Sequence, residues 1–322
     1  MAPQVMFGTA TFGMHMSEFQ DTGAVKQLLQ TLLDLGVHRL DTGARYPPLN
    51  PGRAEELIGE AKELSRKFVI DTKIYTNTQT DGSGDLTIEA IERSTSGSLQ
   101  RLQKPEGVNV LYIHRPDPAT PLEDQVRGFQ EQIERKQCQT WGVSNMPPDL
   151  LKKILEVCEQ NGWPKPSHYQ GTYNLISRGM ESTLLPLLRA HGMTFVCFGS
   201  VASGFLTGKF VNNEHSGTRL GDDNPLGKHF QRIYGTPDLL DAMRKFDREV
   251  RAHGITPVEV AVRWIFYHSQ LCDSDAVLLG ASKIRQLIEN MAYKQRGRLP
   301  EAILPLVEEL WSNVKASRAG VF

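Results

Sequence analysis

Four residue types that together make a tuned phenolic acid occur at separated points of the chain: Asp41, Tyr46, Lys73 and His114. Asp41, Lys73 and His114 each close a short apolar run, Val-His-Arg-Leu-Asp41, Phe-Val-Ile-Asp-Thr-Lys73 and Val-Leu-Tyr-Ile-His114, and Tyr46 follows Asp41 by five residues. A tyrosine phenol has an unperturbed pKa of about 10, so at neutral pH it is protonated but a poor donor. A neighbouring ammonium stabilises the phenolate and an aspartate holds that ammonium charged and in place. A histidine beside the phenol orients a carbonyl oxygen and shares the proton. Such a set suits protonation of an oxyanion as a hydride reaches carbon, a general-acid contribution of about 10²–10⁴ in rate. The hydride itself must come from a cofactor, because no side chain supplies one. Taken singly, each residue has a plainer role: Asp41 as a turn cap, Lys73 as a snorkelling surface residue, His114 as a satisfied core histidine. Their shared position at the ends of apolar runs favours the chemical reading.

The elements that must position them recur along the chain. Short apolar or β-branched runs lie at Val5–Thr9, Val37–Thr42, Phe68–Lys73, Val110–His114, Thr140–Ser144, Ser167–Gln170, Thr194–Phe198 and Ala276–Gly280. They suit parallel strands buried on both faces. Between them, apolar residues fall at helical spacing, as at Val25, Leu28, Leu29, Leu32 and Leu33. Asp21-Thr22 and Pro147-Pro148-Asp149 read as helix starts, Gly36 and Gly162 as stops. The long step between the seventh and eighth runs holds a polar loop, Asn212 to Gly227, then helical stretches near Asp238–His253 and Pro257–His268; a last helix is expected near Glu301–Lys315. Eight βα units without a linker predict one domain over residues 1–322, a (β/α)8 TIM barrel with a long loop and helical insertion between strands 7 and 8. The rival, a doubly wound sheet, lacks its phosphate fingerprint: Gly8-Thr-Ala-Thr-Phe-Gly13 does not fit Gly-x-Gly-x-x-Gly.

Composition agrees with an ordinary globule. The chain has 322 residues, 39% hydrophobic and 23% charged, and a formal net charge of −1. That balance argues against a nucleic-acid or anionic-membrane partner, which needs a basic excess. No run is long enough to span a bilayer and the first residues form no signal peptide, so a cytoplasmic location is expected. Cys138, Cys158, Cys197 and Cys272 are scattered, which reads as reduced thiols, and no metal site is expected.

With these residues in view, Asp41-Thr-Gly-Ala-Arg-Tyr46, Lys73, His114, Trp141-Gly-Val-Ser-Asn145 and Tyr169-Gln-Gly-Thr-Tyr-Asn174 resemble the aldo-keto reductase superfamily, in its order and over nearly the whole chain. Ser203-Gly-Phe-Leu-Thr-Gly-Lys209 and Gly280-Ala-Ser-Lys-Ile-Arg-Gln-Leu-Ile-Glu-Asn290 are most similar to its aflatoxin-aldehyde-reductase-like branch. The resemblance implies an NADPH/NADP+-dependent barrel, with Asp41, Tyr46, Lys73 and His114 as a catalytic tetrad and Tyr46 as the acid. It implies that Ser144, Asn145 and Gln170 hold the nicotinamide carboxamide and that Phe198, where the family usually carries tyrosine, stacks on its ring. Gly199, Ser200, Ala202, Gly204, Leu206, Gly208 and Lys209 are implied to cover the pyrophosphate. Gly280, Ser282, Gln286 and Asn290 match contacts to the 2′-phosphate and adenine. Ala281 stands where many members carry a cation, leaving Lys283, Arg285 or Arg219 to supply the charge.

By the same resemblance Phe12, Met14, His15, Tyr75 and Arg115 lie near the substrate, with Arg115 or Arg232 as an anion anchor. The implied partner is a small aldehyde or ketone, and the branch implies a homodimer. Two other readings use the same residues. Lys73 could act as a Schiff-base nucleophile, as in aldolases, or the chain could bind NADPH as a slow redox-sensing subunit.

Overall fold

Asp21 starts the first helix as its sequence suggests: the carboxylate accepts from the Ala24 N–H at 2.9 Å, and the chain turns out of the helix at Gly36 with φ 73°. The second Pro of Pro147-Pro148 occupies a first-turn position, where its missing N–H costs nothing, and Gly162 ends that helix with φ 67°. The computed structural model describes residues 2–320.

Eight strands, β1 (Gln4–Gly8), β2 (Arg39–Asp41), β3 (Val69–Lys73), β4 (Val108–Ile113), β5 (Cys138–Ser144), β6 (His168–Thr172), β7 (Thr194–Phe198) and β8 (Ala276–Gly280), pair in chain order and close on themselves, all parallel. The helices are α1 (Thr22–Asp34), α2 (Arg53–Glu60), α3 (Lys62–Ser65), α4 (Ile88–Arg101), α5 (Leu122–Glu134), α6 (Pro148–Asn161), α7 (Leu184–Ala190), α8 (Gly227–Tyr234), α9 (Pro237–Ala252), α10 (Pro257–Tyr267), α11 (Ile284–Gln295) and α12 (Leu304–Arg318). The segment between β7 and β8 carries α8, α9 and α10. Of these, α8 begins at Gly227, the last residue of the expected polar loop, and has no counterpart among the expected helical stretches.

Strand alternation sorts the side chains into two cores. Phe7, Leu40, Ile70, Leu111, Val143, Tyr169, Cys197 and Val277 join the helix-facing core. Their neighbours point inward, and the interior is divided by chemistry. On the side of β1, β7 and β8, Met6, Val196, Ala276 and Leu278 form a small apolar cluster with Phe198 packed on it. On the side of β2, β3 and β6 the interior is ionic: Asp41 pairs with Lys73, and one layer nearer the strand starts Arg39 pairs with Asp71 at 2.8 Å and meets His168 at 3.2 Å. Gly142 leaves room for the Tyr112 ring, since a Cβ there would lie 2.6 Å from it.

Candidate active site

Parity decides which residues reach the mouth. Asp41, Lys73, Ser144, Phe198 and Gly280 belong to the inward set and close their strands, and Gln170, inward within β6, lies level with Ser144; this is the face where the architecture places chemistry. His114 stands one residue past β4, and Tyr46 on the loop after β2.

Lys73 is fully buried and donates to both Asp41 oxygens at 2.6 Å and to the Thr42 carbonyl at 2.8 Å. Its ammonium lies 5.0 Å from the centre of the Tyr46 ring and 5.8 Å from that of Tyr112. Burial pulls the Lys73 pKa down, but Asp41 and then Tyr46 outweigh it, and the net direction is upward. Lys73 is therefore a held ammonium. A Schiff-base nucleophile needs the opposite, a free amine.

The Tyr46 ring meets the His114 ring edge-on at 5.5 Å. Burial raises the Tyr46 pKa, Lys73 lowers it, and the net shift is upward. This corrects the simple expectation that the lysine acidifies the phenol below its usual range: Lys73 only offsets part of the desolvation. His114 is pushed down to about 3, first by burial and then by the charges of Lys73, Arg45 and Arg115. It is a neutral imidazole at any working pH, able to orient an oxygen but not to share a titrating proton. Its Nδ1 is buried without a hydrogen-bond partner among the described residues.

His114, at about 3, and His168, at about 4, are both held neutral by burial against an unfolded value of about 6.5. Their contribution is fully present above pH 6.5 and is lost progressively as pH falls from there toward 4 and 3, because over that range the unfolded chain binds protons that the folded chain does not. Tm should drop steadily between pH 7 and pH 4 in thermal denaturation, and the drop should shrink in His168→Gln. An unchanged slope in that variant would contradict the assignment.

Gln170 and Ser144 are directly paired across β5 and β6. Gln170 donates its amide to Asp41 at 2.7 Å, which ties it to the Lys73 pair and leaves its carbonyl oxygen for a ligand. Asn145 donates to the His114 carbonyl and to Ser144 Oγ, both at 3.1 Å, from a left-handed backbone with φ 53°. Non-glycine residues held this way cluster at functional sites. Phe198 is half-buried above the interior apolar cluster, where it presents a flat apolar floor.

The segment after β7 is unusually dense in left-handed backbone: Gly199, Ala202, Ser203, Gly204 and Gly208 all have positive φ. Yet the N–H groups of Ala202, Gly204, Leu206 and Gly208 already donate to local carbonyls, and the side chains of Ala202 and Leu206 are in the core. These residues shape a close approach and do not supply free donors. Ser200 is buried and Lys209 exposed. Arg219 lies over the Phe230 ring at 5.4 Å, makes no hydrogen bond or ion pair among the described residues, and its charge acts on the Tyr46 phenol.

At the start of α11 the Gln286 carbonyl accepts from the Ser282 N–H at 2.9 Å and the Lys283 N–H at 3.3 Å, which makes it a helix cap. Asn290 is buried one turn on, and a Cβ at Gly280 would meet nothing within 4 Å. Lys283 and Arg285 are both exposed there, Arg285 with only a loose surface contact to Glu289 at 3.4 Å. Sequence reasoning missed Glu18. Its carboxylate accepts from the Ile284 N–H at 3.0 Å, 266 residues away, and its own N–H donates to the Ser282 carbonyl.

The expected substrate contacts fare unevenly. Phe12 is fully buried against Phe7 and Phe19 and lines no pocket, because the loop after β1 folds it inward. Arg115 donates to the Asn77 and Thr80 carbonyls and reaches Asp85 at 3.4 Å, so it braces the loop after β3 and is no free anion anchor. Arg232 is exposed on α8, with the Lys228 carbonyl 3.4 Å from its Nε. Tyr75 is exposed beside the mouth, and Met14 and His15 border a cleft with Pro47. Arg45, unremarked in the sequence, donates to the Pro48 carbonyl and to Thr78 Oγ1 and so bridges two mouth loops. Among the described residues no cluster of three or more His, Cys, Asp or Glu could hold a metal, and no helix is long and apolar enough to cross a membrane.

Comparison with known proteins agrees with this geometry. The Aldo/keto reductase family matches residues 4–312. The chain is 32% identical to the oxidoreductase sirO of Leptosphaeria maculans, covering 98% of this chain and 95% of that one. It is 30% identical to an aldo-keto reductase of Pseudocercospora fijiensis, covering 92% of this chain and all of that one, and 29% identical to the mouse aflatoxin B1 aldehyde reductase member 2, covering 98% and 86%. A barrel whose mouth gathers a phenol, a clamped ammonium and a neutral imidazole, matched over its length, belongs to the aldo/keto reductase family and is an oxidoreductase of carbonyl groups.

Proposed function

We propose that this chain reduces an aldehyde or ketone to the alcohol with NADPH, with Tyr46 as general acid. The observation that carries the reading is the position of the Lys73 ammonium, held by both Asp41 oxygens and 5.0 Å from the Tyr46 ring, with the His114 ring edge-on to that phenol. Bound NADPH supplies a hydride to the carbonyl carbon. Tyr46 donates its proton to the carbonyl oxygen, and neutral His114 fixes that oxygen by a hydrogen bond. Lys73 stabilises the phenolate left behind, and Asp41, with Gln170, holds Lys73 in place. The name of the mouse relative, an aldehyde reductase, supports the same class of substrate.

The residues present fit such a cofactor. Gln170, Ser144 and Asn145 offer oxygens at adjacent strand ends to a carboxamide, and Phe198 offers a ring face. The left-handed run from Gly199 to Gly208 allows backbone to approach a pyrophosphate, with Ser200, Lys209 and the unpaired Arg219 as its polar and charged partners. The open space above Gly280, with Ser282, Lys283, Gln286 and Asn290 around the start of α11, suits the adenosine end. A panel of aldehydes and ketones tested for NADPH oxidation is the experiment; absence of any carbonyl-dependent oxidation would overturn the proposal.

Glu18 bears on the choice of cofactor. Its carboxylate occupies the N-terminus of α11, where a 2′-phosphate would have to approach, beside the exposed cations Lys283 and Arg285. NADPH should still bind more tightly than NADH, by a narrow margin. Glu18→Gln keeps the acceptor and removes the charge, so the NADPH Kd should fall about fivefold, within the range of a charge at a helix N-terminus. The NADH Kd should stay unchanged. Fluorescence titration reads both; an equal change for the two cofactors would show that Glu18 does not face the 2′ position.

A further inference from the structure

Tyr112 is a large buried group to which the proposed reaction gives no task. It points inward from β4, is fully buried, and stands in register with Lys73 on β3 and with Gly142 on β5. The missing side chain of Gly142 makes room for its ring, and the His168 ring meets it edge-on at 6.3 Å. One layer nearer the strand starts lies the Arg39–Asp71 pair. The ring is wedged among these neighbours and has little freedom to turn. Its hydroxyl does not explain its presence. That oxygen is buried with no hydrogen-bond partner among the described residues, an arrangement that costs stability. Burial first, and then the charge of Asp71, push the phenol pKa well above its ordinary value, so it neither gives nor takes a proton at a working pH. What is left is the ring.

The opposite half of the barrel interior is filled by Met6, Val196, Ala276 and Leu278, so aliphatic side chains suffice there as filling. Under the mouth the chain places a π face instead. The Lys73 ammonium lies 5.8 Å from the centre of the Tyr112 ring and 5.0 Å from that of Tyr46. Its N–H groups are already engaged by both Asp41 oxygens and the Thr42 carbonyl. An oxygen acceptor in the place of Tyr112 would compete for one of them. A ring face attracts the charge through its quadrupole and leaves the hydrogens with Asp41 and Thr42. Such contacts are strongest when both partners are out of water, and neither Lys73 nor Tyr112 is exposed.

We infer that Tyr112 is a positioning residue for the proton transfer: its ring face holds the Lys73 ammonium from within the barrel so that the charge stays beside the Tyr46 phenol, and its hydroxyl takes no part. The inference rests on the proposed reductase reading and adds a support for Lys73 that accepts no hydrogen bond.

The test separates the ring from the hydroxyl. Tyr112→Phe keeps the face, so kcat for a reduced aldehyde should stay within about twofold of wild type. Tyr112→Leu removes the face and should lower kcat about tenfold, with the aldehyde KM and the NADPH Kd unchanged, because the ring acts only through Lys73. In the Tyr46→Phe background Tyr112→Leu should cost no further rate, since the ammonium has no phenolate left to stabilise. A second, equal loss in that background would mean general damage to the barrel and would overturn the inference. So would a loss in Tyr112→Phe as large as that in Tyr112→Leu, or full activity in Tyr112→Leu. Tyr112→Met fills the space with a flexible chain and no ring, and serves the same comparison should the leucine variant not fold. NMR of lysine ammonium groups labelled with heavy nitrogen reads the position of Lys73 without turnover. Its signal, assigned by absence in Lys73→Met, should exchange with water at least about tenfold faster in Tyr112→Leu than in wild type or Tyr112→Phe. That result upholds the positioning role even if the wild type reduces no carbonyl, an outcome that overturns the reductase reading alone; equal exchange in every variant overturns the positioning role.

Discussion

Tyr46→Phe is expected to lower carbonyl reduction by at least about 10², the scale of a lost general acid. The substitution keeps the ring that packs against His114 and Lys73 and deletes the hydroxyl. Its pKa lies above the ordinary phenol value because burial outweighs Lys73, so the phenol stays protonated across the whole working range. That does not disable it as an acid: the developing alkoxide is far more basic than a phenolate, so the proton still moves downhill. Two features of the pH profile follow. Reduction should hold its rate through pH 9 and fall only above the raised phenol pKa, where the donor is lost. It should show no step near pH 6.5, because His114 does not titrate until about 3. His114 therefore cannot rescue Tyr46→Phe at mildly acid pH. Restoration of activity in that variant between pH 5 and 6 would assign the proton to His114 after all.

Lys73→Met should also abolish reduction, and unlike Tyr46→Phe it should weaken the fold. Asp41 and Lys73 are both almost fully buried, and without the ammonium the carboxylate keeps only the Gln170 amide among its side-chain donors. Breaking a buried pair by removing one partner costs about 3–5 kcal/mol, since the other charge is left uncompensated. Adding Asp41→Asn should recover most of that stability and none of the activity. Denaturant melts of the single and double variants measure the first, steady-state rates the second. In the Tyr46→Phe background, Lys73→Met should cost little further rate, because the two residues act on one proton transfer. Fully multiplicative losses would mean that Lys73 has a separate role.

The sequence made the scaffold of this site legible for a physical reason. Strands buried on both faces read as apolar runs, and a charge at the end of such a run, as at Asp41 and Lys73, stands out. The limits have physical causes as well. Val37–Thr42 shortens to Arg39–Asp41 in the barrel, because the Val37 N–H donates to the Leu32 carbonyl to close α1. The resemblance places Phe12 near the substrate, but in the fold its ring is fully buried against Phe7 and Phe19. Arg115 reads as an anion anchor because its partners, in the Asn77 loop, are brought to it only by folding. The pairs that tune the site are long-range: Gln170 with Asp41 across 129 residues, Glu18 with Ile284 across 266. Neither leaves a local pattern. Asp71 could have been found, since it stands two residues before Lys73 and so shares its inward face.

In the proposed reaction hydride passes from the nicotinamide to a carbonyl carbon at this mouth while Tyr46 supplies the proton. Deuterium labelling follows that hydride atom by atom. Wild-type protein, NADPH labelled at the transferring position of the nicotinamide C4 and 4-methylbenzaldehyde should yield alcohol with one deuterium on the carbinol carbon, matched one for one by loss of nicotinamide absorbance, and Tyr46→Phe should suppress both together. Deuterium entering that carbon from heavy water instead, or a borohydride-trapped adduct on Lys73 without cofactor oxidation, would rule out hydride transfer with Tyr46 as the acid.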